Sequence, residues 1–312
     1  MQFNHFSVML DESIHALNIK KEGIYVDCTL GGGGHSAEIL HRLHSTGRLI
    51  AIDQDQYAID YCKQKFSNHT NINFVQDNFK NIDLILKTLE IEKVDGILMD
   101  LGVSSYQIDT DERGFSYIRN GKLDMRMNTS QTFSAYDIIN EYDEEKLSHI
   151  FRVYGEEKYH KKIARKIVES RKLNKISTTH DLVKLIDDTI PRFEIKKRGH
   201  LSKKVFQALR IEVNGELEIL ENTIVDSVNN LKIGGRIAII TFHSLEDRIV
   251  KNTFNYLATE CICPKDFPIC KCEKKKEISI ITRKPILPSS LEISKNSRSS
   301  SAKLRVAEKL IY

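Results

Sequence analysis

Over the first hundred or so residues, short β-branched runs alternate with stretches whose apolar positions recur every three to four residues. That alternation predicts a parallel sheet wrapped by helices, because parallel neighbours need a crossover connection that a helix supplies. Strands are expected at 23–28, 48–53, 72–77 and 94–100, with helices at 36–43, 56–66 and 81–89 in the gaps. This is half of a doubly wound α/β fold. From Ser105 the rhythm changes to helical segments at 135–140, 144–153, 158–171 and 179–189, with no strand of comparable strength, until Pro191 breaks the pattern. Alternation resumes with a helix at 216–229, a Gly234-Gly235 turn, a strand at 236–242 and a helix at 244–257. Two further strands, at 278–282 and 304–307, flank a Ser- and Asn-rich stretch that reads as a surface loop. The predicted organisation is one sheet domain in two pieces, 1–105 and 211–312, interrupted by a helical insertion at 106–210.

Composition narrows the class. With 312 residues, 40% hydrophobic and 29% charged, the chain has ample length for a core. No apolar run approaches the roughly 20 residues of a membrane span. The opening Met1-Gln2-Phe3-Asn4-His5 lacks the basic-then-apolar layout of a secretory signal, so a soluble, cytoplasmic protein with reduced thiols and no membrane partner is expected. Charge is unevenly spread: residues 152–210 hold 17 Lys/Arg against 7 Asp/Glu, more than the net +4 of the whole chain. A basic segment on a chain that also carries a cofactor site points to a nucleic-acid backbone.

The candidate cofactor site follows the first strand. Asp27-Cys28-Thr29-Leu30 leads into Gly31-Gly32-Gly33-Gly34-His35, and glycines between strand and helix let backbone approach a ligand where a Cβ would clash. The spacing is not the dinucleotide fingerprint. The second strand ends at Asp53, where an acid can accept hydrogen bonds from both ribose hydroxyls of an adenosine cofactor. The third is followed by Phe79, suited to stack on adenine, and the fourth ends at Asp100, facing the reaction centre.

Six strings then combine: Gly31-Gly32-Gly33-Gly34-His35-Ser36, Asp100-Leu101-Gly102-Val103-Ser104-Ser105, Arg113-Gly114-Phe115-Ser116, Leu123-Asp124-Met125-Arg126-Met127, Phe206-Gln207-Ala208-Leu209-Arg210-Ile211 and Phe242-His243-Ser244-Leu245-Glu246-Asp247-Arg248. In this order and nearly end to end, the chain resembles the bacterial small-subunit ribosomal RNA cytosine-N4 methyltransferases, the MraW or RsmH family. The resemblance implies a Rossmann-like sheet dependent on S-adenosylmethionine (SAM), with a mainly helical inserted domain. It implies methylation of N4 of a decoding-centre cytosine in 16S ribosomal RNA, within the small ribosomal subunit. Carried over by motif, the cofactor contacts fall on Gly33, Gly34, His35, Asp53, Phe79, Asp100 and Gln107. One departure stands out: where family members commonly read His-Pro-Ala-Thr-Arg, this chain has His200-Leu201-Ser202-Lys203-Lys204, and a lysine does not reproduce an arginine fork at a phosphate.

Methyl transfer from a sulfonium is an in-line displacement, so alignment dominates and no metal is expected at the centre. The cytosine N4 lone pair is delocalised into the ring, and an acceptor for its N–H activates it. Asp100 is the first candidate for that acceptor, with binding of the SAM ammonium as its competing role. His243, near Asp247 at a later strand end, is a candidate proton acceptor or a helix cap. Arg113, Asp124 and Arg126 form a polar cluster for the target nucleotide or for clamping a loop. Lys161, Lys162, Arg165, Lys166, Lys196, Lys197 and Arg198 are expected to meet phosphates without reading sequence. Cys261, Cys263, Cys270 and Cys272 can supply four thiolates to a structural zinc or form a reduced, metal-free loop. Three rival readings remain: a nicotinamide oxidoreductase, which leaves the basic insertion unexplained; a non-enzymatic RNA-binding protein, which has no use for the glycine loop; and a DNA or other RNA amino-methyltransferase. A DNA enzyme of that class would carry paired prolines and an aromatic where this chain has Asp100-Leu101-Gly102-Val103.

Overall fold

The computed structural model describes residues 7–191, 193–194, 200–264 and 270–310. The chain packs as two units, Met1–Gly102 with Leu217–Tyr312 and Val103–Glu216. Strands β1 (Ile24–Asp27), β2 (Arg48–Asp53), β3 (Ile72–Gln76), β4 (Val94–Asp100), β5 (Leu231–Thr241), β6 (Ile278–Ile280) and β7 (Lys303–Lys309) make one sheet in the first unit. Their order is β3-β2-β1-β4-β5-β7-β6. β1 to β5 pair in parallel, and β7 runs antiparallel between β5 and β6. The α/β, Rossmann-like expectation is borne out. The order reverses between β1 and β4, the switch point at which open α/β sheets bind ligands.

Helices α1 (Leu10–Leu17), α2 (Gly34–Arg42), α3 (Gln56–Lys65) and α4 (Ile82–Thr88) accompany the first strands. In the second unit lie α5 (Ser105–Asp109), α6 (Ala135–Glu141), α7 (Glu144–Val153), α8 (His160–Arg171), α9 (Thr179–Thr189) and α10 (Lys203–Asn214). Then follow α11 (Glu216–Asn229), α12 (Ser244–Leu257) and α13 (Ser290–Lys295). Alternation within the strands builds two layers, as both faces of a parallel sheet must be covered. Ile50, Ile52, Ile97, Met99, Ile237 and Ile239 bury against α4, α11 and α12, whereas Leu49, Ala51, Leu98, Ala238 and Ile240 bury against α1, α2 and α3. The second unit has its own core, in which Ile138, Phe151, Ile163, Ile167, Leu182, Ile186 and Leu209 meet.

Three local expectations need correction. The Gly234-Gly235 pair does not turn the chain between elements; it lies inside β5, where the register with β4 shifts between Val94 and Gly96. The Ser- and Asn-rich stretch is helical rather than a loop, because these residues serve as caps: Ser289 accepts the Glu292 N–H and Asn296 accepts the Arg298 N–H, while Ser299 is fully buried. The helix α10 was not anticipated, although its apolar positions Val205, Phe206, Ala208, Leu209, Ile211 and Val213 recur at helical spacing and are buried.

No described helix is long and apolar enough to cross a membrane. At the antiparallel edge, Asp247 on α12 accepts from Arg305 at 2.6 Å and from Lys303 at 3.2 Å, both on β7. Burial opposes its charge, but the hydrogen bonds from Arg305 and Lys303 outweigh that and hold the carboxyl below its usual range. This stabilisation is present above the unfolded carboxylate range and is lost as pH falls through the depressed native value. Asp247→Asn is therefore expected to cost about 3 kcal/mol at neutral pH, read from the urea midpoint, with the difference from wild type vanishing in acid; equal midpoints at neutral pH would contradict it.

Candidate active site

The carboxyl ends of β1, β2 and β4 are tied together by side chains. Asp27, fully buried, accepts the Ser36 hydroxyl at 2.7 Å and the Thr29 N–H at 3.1 Å, joining β1 to the first turn of α2. Thr29 Oγ1 accepts the Asp100 N–H at 2.7 Å, joining β1 to β4. Gly31 donates its N–H to Asp53 Oδ2 at 2.8 Å, joining the glycine loop to β2. Lys65 closes the loop from α3, donating to the carbonyls of Gly32 and Gly33 at 2.8 and 3.3 Å.

The glycines were expected to make room for a ligand, and at two positions the structure supplies a different reason. Gly33 sits at φ +69°, and a Cβ there would lie 2.8 Å from both Cys62 Sγ and Phe66 Cε2. At Gly34 it would lie 1.8 Å from Ser7 Oγ. The protein's own side chains occupy the space, so these glycines let α2 and its loop seat against α3 and the N-terminal segment.

Asp53 is half-buried, with one oxygen on Gly31 and the other accepting the Asp55 N–H at 2.9 Å. A carboxylate has about four acceptor positions, so two stay open. Burial pushes its pKa up to about 6 against the pull of these two donors. Phe79 begins a short 3-10 turn, Phe79–Asn81, and is only partly buried against the sheet core. Asp77 sets this turn beside β2, accepting from Asn81 Nδ2 at 2.8 Å while its N–H donates to the Asp53 carbonyl at 3.1 Å.

Asp100 leaves the sheet at the switch point. Its Oδ1 is buried without a hydrogen-bond partner among the described residues, and its Oδ2 lies 3.8 Å from His35 Nδ1. His35 Nε2 stands 3.1 Å from the Val8 carbonyl, which can only accept, so Nε2 carries the proton and Nδ1 presents a lone pair. Burial holds this ring neutral, with its pKa down at about 4. Two acceptors thus face each other whenever Asp100 is ionised. Burial, and then the charges of Asp27, Glu246 and Glu292, push the Asp100 pKa well above the carboxylate range. Such a pit is completed by a cation or an N–H donor.

His243 is the N-cap of α12. Its Nδ1 accepts the Glu246 N–H at 3.4 Å, and Glu246 Oε2 accepts the N–H groups of Phe242 and His243 at 2.8 and 3.2 Å. The ring's lone pair is committed to the backbone, so a proton-accepting role would first have to break the cap. Asp247 is turned to Arg305 and Lys303 and does not join this group.

Gln107, Arg113, Asp124 and Arg126 belong to the second unit. Gln107 closes a capping box with Ser104, accepting its N–H at 3.1 Å. Arg113 donates to the carbonyls of Arg126 and Met127 at 2.8 and 3.1 Å. Asp124 and Arg126 form a two-pronged ion pair at 2.9 and 2.6 Å, and Arg126 also reaches the Thr129 and Gln131 carbonyls. These three therefore clamp their own loop. Lys161, Lys162, Arg165 and Lys166 line the exposed face of α8, opposite buried Ile163, Ala164 and Ile167. Lys196, Lys197 and Arg198 lie outside the described residues.

Sequence reasoning did not select Asp27, Glu246 or Glu292 as parts of this acidic pit. Asp27 ends a strand and was visible; Glu292 gave no local signal, because only folding brings it to Met9, whose N–H it accepts at 2.8 Å. Because Asp100 binds its proton more tightly when folded, stability falls as pH rises from the unfolded carboxylate range towards its raised native value. Asp100→Asn is expected to stabilise the ligand-free protein by about 1–2 kcal/mol near neutral pH and by less at pH 5, measured by thermal denaturation; a destabilised variant would contradict the acidic-pit reading.

The sequence profile of the MraW methylase family matches residues 2–310. Two curated relatives, both ribosomal RNA small subunit methyltransferase H from Clostridium botulinum, strains Loch Maree and Kyoto, are 57% and 56% identical over 310 residues, 99% of this chain and all of theirs. Among solved structures, an rRNA methylase from Streptococcus thermophilus aligns at a TM-score of 0.43 and 12% identity, over 97% of this chain and 94% of that one. From its glycine loop to its last strand, the chain belongs to the MraW methylase family.

Proposed function

We propose that this protein is a SAM-dependent methyltransferase that modifies the N4 amine of a decoding-centre cytosine in 16S ribosomal RNA, acting on the small ribosomal subunit. Family membership and the curated relatives support ribosomal RNA methylation as the reaction class. The observation that carries the reading onto particular residues is the unsatisfied acceptor pair of Asp100 and His35 at the sheet's switch point.

When bound, SAM supplies a methyl group made electrophilic by a positive sulfonium. The residues present suit its parts. Asp100 meets the ammonium, and α2 begins without a side-chain cap, leaving the first-turn N–H groups that follow Gly33 and Gly34 for the carboxylate. Asp53 accepts the ribose hydroxyls on its two open positions, and Phe79 covers one face of the adenine. Gln107 joins these contacts on the family resemblance alone. The competing role for Asp100 is as the acceptor that draws on an N–H of the target amine. His243 acts here through Glu246, holding the first turn of α12. Arg113, Asp124 and Arg126 shape the loop that meets the target nucleotide.

The cationic face of α8 binds phosphates without reading sequence, and the basic Lys196, Lys197 and Arg198 are assigned the same role from the sequence alone. Specificity then comes from RNA shape and from a cytosine able to leave its stack, since the amine is unreachable in a packed helix. A folded subunit or its precursor is the substrate rather than a short oligonucleotide.

Incubation with methyl-labelled SAM and small subunits from cells lacking this enzyme is expected to yield labelled N4-methylcytosine on digestion; label on another nucleoside, or none with SAM bound, would sink the proposal. Asp53→Ala is expected to weaken SAM binding about tenfold or more. Wild-type affinity should also fall as pH drops through about 6, because a protonated Asp53 loses acceptor capacity. Replacing Lys161 and Lys162 by Glu should lower RNA affinity, flatten its salt dependence and leave SAM affinity unchanged; parallel losses of both affinities would refute this division of labour. For Asp100→Asn, a loss confined to SAM affinity assigns it to the ammonium, and a loss confined to kcat assigns it to the amine.

A further inference from the structure

We infer that Cys261, Cys263, Cys270 and Cys272 form a mononuclear zinc site that staples the connection between α12 and β6, independently of the reaction proposed above. The four Sγ atoms all lie within 4.8 Å of one another. Cys261 and Cys270 are 3.4 Å apart, Cys270 and Cys272 3.5 Å, and Cys272 and Cys261 3.8 Å. A tetrahedral ion with zinc–sulfur bonds of about 2.3 Å needs thiolates about 3.8 Å apart. The spacing therefore suits one ion; a polynuclear iron–sulfur cluster, with irons and sulfides between its ligands, would hold the thiolates farther apart. None of the four is in a disulfide.

Backbone donors surround the sulfurs as they do at thiolate metal sites. The Ile262 N–H points to Cys272 Sγ, the Cys263 N–H to Cys261 Sγ and the Lys271 N–H to Cys263 Sγ, each at 3.4 Å. Such donors offset negative charge on thiolates and orient them. Lys271, Lys274, Lys275 and Lys276 place cations in the same segment, against the net negative charge of a zinc tetrathiolate.

Hydrophobic packing does not account for the convergence. Cys261 and Cys270 are exposed, Cys263 and Cys272 are half-buried and Ile262 is 54% exposed, so among the described residues the cluster lies outside the hydrophobic cores. The connection from Leu257 to Ile278 far exceeds the usual 4–6 residues or so. Its base is closed by the Glu277 N–H donating to the Leu257 carbonyl at 2.8 Å. Beyond that base, ordering four thiols costs chain entropy that a metal recovers, with four zinc–sulfur bonds forming as the thiol protons leave to solvent. Of the ions that accept four sulfurs in a tetrahedron, zinc needs no redox partner.

The test is metal analysis of full-length protein purified without chelator from zinc-containing medium. One zinc per chain is expected, released by a thiol-specific mercurial and absent from a variant with all four cysteines changed to serine. Should that variant fail to fold, cobalt titration of metal-depleted wild type decides: intense d–d absorption with thiolate-to-cobalt charge transfer supports the site. Wild type that holds no zinc and gives no such spectrum overturns it. So does iron in place of zinc, zinc retained after loss of the four cysteines, or a mass showing the cysteines joined as disulfides.

Discussion

The buried carboxylate of Asp27 is the tie on which the rest of the first unit's site depends. Through Ser36 it fixes the start of α2, and through Thr29, whose hydroxyl takes the Asp100 N–H, it aligns the ends of β1 and β4. Burial raises the proton affinity of Asp27, and the bonds from Ser36 and Thr29 act against that. A charged group in such a place persists because its neighbours satisfy it. Loss of those bonds would separate the helix that carries His35 from the strand that carries Asp100.

Asp100 is the opposite case. Among the described residues its carboxyl meets acceptors and negative charge and no matching donor: His35 presents a lone pair, and Asp27, Glu246 and Glu292 all disfavour its ionised form. Folding has carried that cost at the switch point of the sheet. The contrast between a satisfied acid at the end of β1 and an unsatisfied one at the end of β4 is what the proposed binding role of Asp100 rests on, because a site for a cationic ligand must keep acceptors open until the ligand arrives.

The two units divide charge in the same spirit. Acidic groups collect at the strand ends of the first, while α8 in the second carries Lys161, Lys162, Arg165 and Lys166 on its solvent face. A small cationic ligand and a polyanion call for opposite potentials, and separate elements supply them. The polar residues Arg113, Asp124 and Arg126 are spent on holding their own loop, so whatever that loop contributes is a matter of shape as much as of charge.

By itself the sequence determined the alternation of strands and helices, the interruption by helices and the acids at the ends of β2 and β4. Each of these is written in periodicities of two or 3.6 residues and in strand-end chemistry, which are local. Tertiary structure alone decided which partners those residues meet. Gly34 proved to be reserved for Ser7, Asp247 for Arg305, and the His243 lone pair for a helix cap. Glu292 reached Met9 across most of the chain's length, and four cysteines in two separated pairs came within one ion's coordination sphere. Hydrogen bonds and coordination depend on distance and direction in space, and one-dimensional spacing carries neither for residues far apart in the chain.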